Sequence, residues 1–141
     1  MYVNAIIEDE NLAPFYANPG DAGADLKSSI DTVIPAGQTL IVPTGVSVAL
    51  PKGHVGFITP RSGLAAKNGI TVLNAPGTID SGYRGELKII LHNTSENDHY
   101  INKYDRIGQL VIVPFVHAHF TPVDSLDDSE RGAGGFGSTG A

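Results

Sequence analysis

Three times within twenty residues, a proline in this chain is followed two positions later by a glycine: Pro35-Ala-Gly37, Pro43-Thr-Gly45 and Pro51-Lys-Gly53. Proline fixes φ and removes a ladder donor, and glycine supplies conformations other residues avoid, so each triplet reads as a turn. The apolar runs between them, Val33-Ile34, Leu40 to Val42 and Val46 to Leu50, are too short for helices and read as strands. A turn every eight to ten residues or so is the rhythm of β-sandwiches and jelly rolls. With 17 Gly and 9 Pro in 141 residues, and no long apolar stretch at helical spacing, the pattern predicts an all-β chain.

The remaining strands follow from the same reading. Tyr2 to Glu8, His54 to Thr59, Glu86 to Asn93 and a long apolar run within Tyr100 to Val116 alternate or run apolar. Pro60 to Gly69 is the one helix predicted, about two turns long and closed by Gly69. Its start, Arg61-Ser62-Gly63, reads either as an anion site at free helix N–H groups or as a capped connector.

Composition narrows the function. Hydrophobic residues make up 41% and charged residues 17%, which describes a folded single domain. The absence of Cys excludes disulfides, thiolate-bound zinc and thiol catalysis. The sequence shows no signal-like start and no apolar run of membrane-spanning length, so a cytoplasmic location without a membrane partner is expected. A net charge of −6 argues against a nucleic-acid partner, which needs a basic stripe. Of the arginines Arg61, Arg84, Arg106 and Arg131, all but Arg106 precede Ser-Gly, Gly or Gly-Ala. Guanidinium beside bare backbone suits a small phosphorylated ligand.

Four further segments carry chemistry. Asn74 to Gly85 sets Pro76-Gly77 and Ser81-Gly82 around Thr78-Ile79-Asp80, between Ile70–Leu73 and Leu87–Leu91. It is expected to form a tight hairpin whose bare backbone offers a hydrogen-bonding edge, with the Asp80 carboxylate at its rim and the Tyr83 ring nearby. Asp21-Ala-Gly-Ala-Asp25 reads either as oxygen donors for a hard cation through water or as an Asx turn. His117 and His119 alternate on a strand face without an evident third ligand, which favours a surface role. From about Asp124 the sequence turns acidic and then glycine-rich. It is either a flexible terminus or a mobile lid carrying Arg131, Phe136, Ser138 and Thr139. A folded domain over residues 1–124 and a tail over 125–141 are expected.

Taken together, Asp21-Ala-Gly-Ala-Asp-Leu, Pro60-Arg-Ser-Gly-Leu-Ala, Asn74-Ala-Pro-Gly-Thr-Ile-Asp-Ser-Gly-Tyr-Arg-Gly, Arg106-Ile-Gly-Gln and Arg131-Gly-Ala-Gly-Gly-Phe-Gly-Ser-Thr-Gly resemble the five ordered motifs of trimeric dUTPases. The resemblance spans residues 21 to 140 and departs at Gly108, where the family usually has Ala. It implies a jelly-roll-like β-barrel with one short helix and a flexible tail, assembled as a homotrimer with shared sites. It implies hydrolysis of dUTP to dUMP and pyrophosphate with Mg²⁺, supplying dUMP and keeping uracil out of DNA. By the same resemblance Asp80 is the general base, and Asp25 holds the metal through water. Arg61, Ser62, Gly63 and Gln109 contact phosphates. Asn74, Gly77, Thr78 and Ile79 read uracil, and Tyr83 lies against the deoxyribose. Lys88 sits near the substrate. Arg131 clamps the γ-phosphate, Phe136 stacks on the base, and Gly137, Ser138 and Thr139 complete the closing tail. Arg84 and Arg106 are expected to fix loops by pairing with carboxylates. The alternatives are a dCTP deaminase, for which no ammonia-releasing residue set is evident, and a nucleotide-responsive binding module.

Overall fold

The computed structural model describes residues 1–140. The strands are β1 (Asn4–Ile7), β2 (Ala24–Lys27), β3 (Thr32–Ile34), β4 (Thr39–Ala49), β5 (His54–Thr59), β6 (Ile70–Val72), β7 (Gly77–Ile79), β8 (Glu86–Asn93), β9 (His99–Ile101) and β10 (Arg106–Pro114), with one helix, α1 (Ser62–Asn68). A 3-10 turn, Glu10–Leu12, follows β1. The strands form two four-stranded sheets, ordered β1-β4-β8-β6 and β2-β10-β5-β7, and a β3-β9 ribbon. All strand pairs are antiparallel. The expected all-β, jelly-roll-like architecture is present, built from three separate sheets.

Alternation places the core. In β8 the side chains of Leu87, Ile89, Leu91 and Asn93 point inward, while Lys88, Ile90 and His92 lie on the other face. Leu26, Ile34, Val42, Val46, Leu87 and Ile89 are wholly buried together. Asn93 is tolerated there because its amide is satisfied. Its Nδ2 donates to the Ile34 and Asn97 carbonyls, and its Oδ1 accepts from the Ser95 amide and hydroxyl.

Three sequence expectations are corrected. Of the three Pro-x-Gly triplets, Pro35-Ala-Gly37 and Pro51-Lys-Gly53 are turns, closed by bonds from the Gln38 and His54 amides to Pro35 and Pro51. Pro43-Thr-Gly45 instead lies inside one continuous strand, β4, as a bulge against β8. The surplus residues are accommodated because the Thr44 hydroxyl donates to the Leu87 carbonyl at 2.6 Å, replacing a ladder bond.

The stretch Asn74 to Gly85 is not the loop of a tight hairpin. Its flanks do pair, Ile70 with Asn93 and Val72 with Leu91. Between them the chain leaves that sheet, runs as β7 along β5 in the second sheet, and returns. The excursion ties one sheet to the other.

The polar edge expected before the last apolar strand is a turn at Asn102–Asp105, in which Tyr104 has φ 76°, and it leads into β10 as expected. The Tyr104 hydroxyl donates to the Asp9 carboxylate, which anchors this turn to the 3-10 turn after β1. Finally, β10 ends at Pro114, so His117 and His119 lie beyond the last strand on exposed chain rather than on a strand face. The helix, by contrast, begins and ends within two residues of expectation, with Gly69 as its left-handed cap at φ 67°.

Candidate functional site

The second sheet gathers four of the five motifs. In its order β2-β10-β5-β7, the first motif leads into β2 and the fourth lies on β10. The second follows β5, and the third forms β7. Register does the fine placement: Gln109 faces Asp25 on one side and Thr59 on the other.

The first cleft is lined by Asn18, Asp21, Gly23, Asp25, Arg61, Ser62, Gly63, Arg106 and Gln109, among others. Asp25 is buried at its centre, with Oδ1 accepting from Arg61 Nε and Oδ2 from Arg106 Nη1, each at 3.2 Å. Two guanidinium groups flank one carboxylate, and with Asp21 at the wall the formal charges of the lining balance. Arg61 is held through Nε, which leaves its terminal nitrogens for a ligand. Ser62 is exposed beside it, and Gly63 has open space where a side chain would stand. No side chain caps the start of α1. The Gln109 amide donates to the Pro60 carbonyl at 3.2 Å, which ties β10 to the helix entry.

The two carboxylates flanking Gly23 are placed differently. Asp21 accepts through Oδ2 from the amide and the side chain of Asn18, three residues earlier, and closes the turn Asn18–Asp21 at the cleft wall. Asp25 is the inward one. Among the described residues no cluster of three or more His, Asp or Glu could hold a metal by itself. A lone buried carboxylate beside arginines suits a hard cation that arrives with its own oxygen ligands and water.

The second cleft is lined by Ile58, Val72, Asn74, Gly77, Thr78, Ile79, Lys88, Ile89 and Ile90. β7 is an edge strand, so one side of its backbone is unpaired. The Asn74 amide sits beside Gly77, where a Cβ would stand 3.3 Å from Asn74 Nδ2. Asp80 directly follows the strand, exposed, and its carboxylate makes no hydrogen bond or ion pair to any described residue. Tyr83 is half exposed, and its hydroxyl donates to the Glu86 carbonyl at 2.9 Å. Arg84 Nη1 donates to the Ser81 and Tyr83 carbonyls. It fixes the loop, as expected, but through carbonyls rather than a carboxylate. Arg106 does take a carboxylate, that of Asp25.

Among the described residues none belongs to both clefts, and none from the tail lines either. Arg131 Nε folds back on the Gly134 carbonyl at 2.8 Å, and Phe136 is fully exposed. Gly137, Ser138 and Thr139 lie in the turns that follow. The chain therefore carries three pieces of site chemistry in three places.

A family model described as dUTPase matches residues 9–140. The chain belongs to the dUTPase family. Its relatives include the deoxyuridine 5'-triphosphate nucleotidohydrolase of Cutibacterium acnes, 56% identical over 128 residues, which are 90% of this chain and 84% of that one. The Clostridioides difficile protein of the same name is 49% identical over 134 residues, 95% of this chain and 94% of the relative. Among solved structures, a variant of the Staphylococcus bacteriophage 80alpha dUTPase with dUpNHpp superposes with a TM-score of 0.91 at 29% identity, over 99% of both chains. A variant of the dUTPase from phage phi11 of S. aureus, described for its coordination of a structural Mg(II) ion, gives 0.81 at 26% identity over 89% and 98%.

Within this dUTPase-family chain, sequence reasoning missed Gly23 and Glu86. A Cβ at Gly23 would overlap the Gln109 side-chain amide, with Gln109 Cδ only 2.8 Å away. Nothing in the local sequence shows that Gln109 comes so near, because the approach depends on the β2–β10 register. Glu86 closes the third motif, but its carbonyl, rather than its charge, meets Tyr83.

Proposed function

We propose that this chain hydrolyses dUTP to dUMP and pyrophosphate by attack of water on the α-phosphorus, with Asp80 as general base. The observation that carries the reading is Asp80 itself, a carboxylate without partners at the end of an open strand edge. Hydrogen bonding and ion pairing occupy Asp9, Asp21, Asp25, Asp31, Asp98 and Asp105, and the other unpartnered aspartates, Asp124, Asp127 and Asp128, lie beyond the last strand, whereas Asp80 stands at the β7 edge and can accept a proton from water. The water oxygen bonds to the α-phosphorus, the bond to the bridging oxygen of the β-phosphate breaks, and pyrophosphate leaves. Asp80 then gives its proton to solvent.

Arg61, Ser62, Gly63 and Gln109 bind the triphosphate in the first cleft. Asp25 would hold Mg²⁺ through water, and the cation when bound offsets charge on the phosphates. The β7 edge from Gly77 to Ile79, with Asn74, reads uracil. A backbone edge that must pair rejects a mismatched base strongly. Tyr83 lies against the deoxyribose and crowds out a 2′-hydroxyl, and Lys88 stands beside the same cleft. Arg131 clamps the γ-phosphate, Phe136 stacks on the base, and Gly137, Ser138 and Thr139 close over the phosphates.

The separation of the two clefts and the tail supports a homotrimer. Each site takes the first, second and fourth motifs from one chain, the third from a neighbour and the tail from the remaining chain. Exposed apolar side chains at Ile6, Ile41, Val116, Phe120 and Leu126 fit burial between chains. Among the described residues no helix is long and apolar enough to cross a membrane. The test is pyrophosphate release from dUTP, dTTP, dCTP and UTP with Mg²⁺, beside Asp80→Asn. Turnover confined to dUTP and lost in the variant is the expected result. Tight dUTP binding without turnover by the unmodified chain would replace the reading with that of a nucleotide-responsive binder.

A further inference from the structure

The bulge in β4 reaches the substrate side of the molecule through a single side chain. Across it, β4 advances from Pro43 to Ser47 while β8 advances only from Lys88 to Glu86. Regular ladder bonds are therefore missing opposite the first residues of β8, where Pro43 has no N–H to offer. Side chains supply the bonds instead. Thr44 Oγ1 donates to the Leu87 carbonyl, and the buried Gly45 amide donates to Glu86 Oε1 at 2.9 Å. The position cannot take a side chain easily, since Gly45 has φ 70° and a Cβ there would lie 2.8 Å from Leu12 Cδ1.

Glu86 is thus held by its carboxylate on one sheet strand while its carbonyl accepts from the Tyr83 hydroxyl at 2.9 Å. The ring that makes this bond has little room to adjust. It lies over Gly85, where a Cβ would stand 2.5 Å from Tyr83 Oη and 2.7 Å from Cζ. On the other side the Tyr83 amide is tied to the Asp80 carbonyl at 3.0 Å. Two hydrogen bonds therefore link the Gly45 amide through Glu86 to the phenol.

We propose that Glu86 is a positioning residue for Tyr83, and that its bond to the Gly45 amide sets how strictly the site refuses a 2′-hydroxyl. The selectivity half rests on the reading that Tyr83 lies against the deoxyribose. Without the Glu86 anchor Thr44 still holds the Leu87 carbonyl, so the loosening is confined to Glu86, and the phenol follows its carbonyl acceptor. The ring then yields to a ribose.

The experiment compares the full-length protein with Glu86→Ala, Glu86→Asp and Glu86→Gln. Ala removes the acceptor, and Asp keeps the charge but draws the acceptor away from Gly45. Gln keeps a carbonyl oxygen at the same reach. Loss of the anchor is expected to lower the ratio of kcat/KM for dUTP over UTP by about five- to tenfold, the scale of one ordinary net hydrogen bond. kcat for dUTP is expected to stay within about twofold, and Gln to restore the ratio, as a contact that orients rather than reacts should. If Glu86→Ala does not fold, Glu86→Asp carries the same expectation. An unchanged ratio in a folded variant, or losses of kcat that only follow lost stability, would overturn the assignment.

A second readout does not depend on the ribose reading. With fluorotyrosine in place of the five tyrosines, the Tyr83 ¹⁹F resonance, assigned by its disappearance in Tyr83→Phe, is expected to shift or broaden in Glu86→Ala and return in Glu86→Gln. If it does not move, the positioning role is wrong. If it moves while the unmodified protein accepts UTP as readily as dUTP, the positioning stands, and the ribose reading of Tyr83 falls together with the selectivity half.

Discussion

Arg61 and Asp25 meet through Nε and Oδ1 at 3.2 Å, a contact that holds the guanidinium by its stem and leaves its outer edge to the cleft. Arg106 holds the other oxygen at the same distance, so the carboxylate orients both cations.

Removing that charge should be felt in both stability and binding. Asp25→Asn leaves the partly buried Arg61 and the exposed Arg106 without their counter-charge, and is expected to cost about 1–3 kcal/mol, read from urea unfolding. Arg61→Lys keeps a charge but cannot hold Asp25 and reach a phosphate at once. A raised KM for dUTP with the fold intact is the expected outcome, and an unchanged KM would remove Arg61 from the phosphate site.

Asp80→Asn separates chemistry from folding. Its carboxylate is exposed and has no partner, so stability is expected to stay within about 0.5 kcal/mol. The loss of a general base should lower kcat by about 10²- to 10⁴-fold. A kcat within tenfold or so of the unmodified protein would exclude Asp80 as the base.

Gly23→Ala tests the close approach of β2 to β10. The added methyl must displace the Gln109 amide from its bond to the Pro60 carbonyl. The expected signature is a several-fold rise in KM with kcat little changed, since a binding group is moved and no reacting group is. A Gly23→Ala, Gln109→Ala double variant should be no worse than Gln109→Ala alone.

Asp9 gives a pH prediction with a definite sign. The Tyr104 hydroxyl first, then the Asn11 amide, hold its carboxyl below the ordinary value of 3.8. A depressed native pKa means that the contribution is complete above 3.8 and is lost as the pH falls through the native value. Urea midpoints of the unmodified protein and of Tyr104→Phe should therefore differ at neutral pH and converge in acid below that value. A difference that grows in acid would contradict the assignment.

Gly108, where the resemblance expects Ala, has its explanation in Ile89. A Cβ at position 108 would stand 2.9 Å from Ile89 Cδ1, so the isoleucine methyl fills the space. Gly108→Ala is expected to cost under about 2 kcal/mol, and Ile89→Val about 0.5–1.5 kcal/mol. The double variant should be more stable than the sum of the two, because Val lacks the methyl in the way.

What the sequence revealed and what it hid divide along a physical line. Local chemistry was legible: α1 and its Gly69 cap follow from propensity and φ. The pairing of Arg106 with a carboxylate was also foreseen. Long-range substitution was not legible. Pro43-Thr-Gly45 has the composition of a turn, and only the Thr44 hydroxyl reaching Leu87 across the sheet keeps β4 continuous. The crossing of β7 to the second sheet was hidden for the same reason, since the flanks of a hairpin and of an inter-sheet excursion share one pattern. His117 and His119 alternate in sequence, but alternation has meaning only where a partner strand is present, and none lies beyond Pro114.

The two clefts share no residue, and that has a genetic consequence. Under the proposed sharing of sites, a chain carrying Asp80→Asn and a chain carrying Arg61→Ala are each silent as pure assemblies, yet they damage different halves. Co-assembled, some sites would draw the base from one parent and the phosphate-binding arginine from the other, and activity would reappear. Two defective copies of one gene would complement each other inside a single particle.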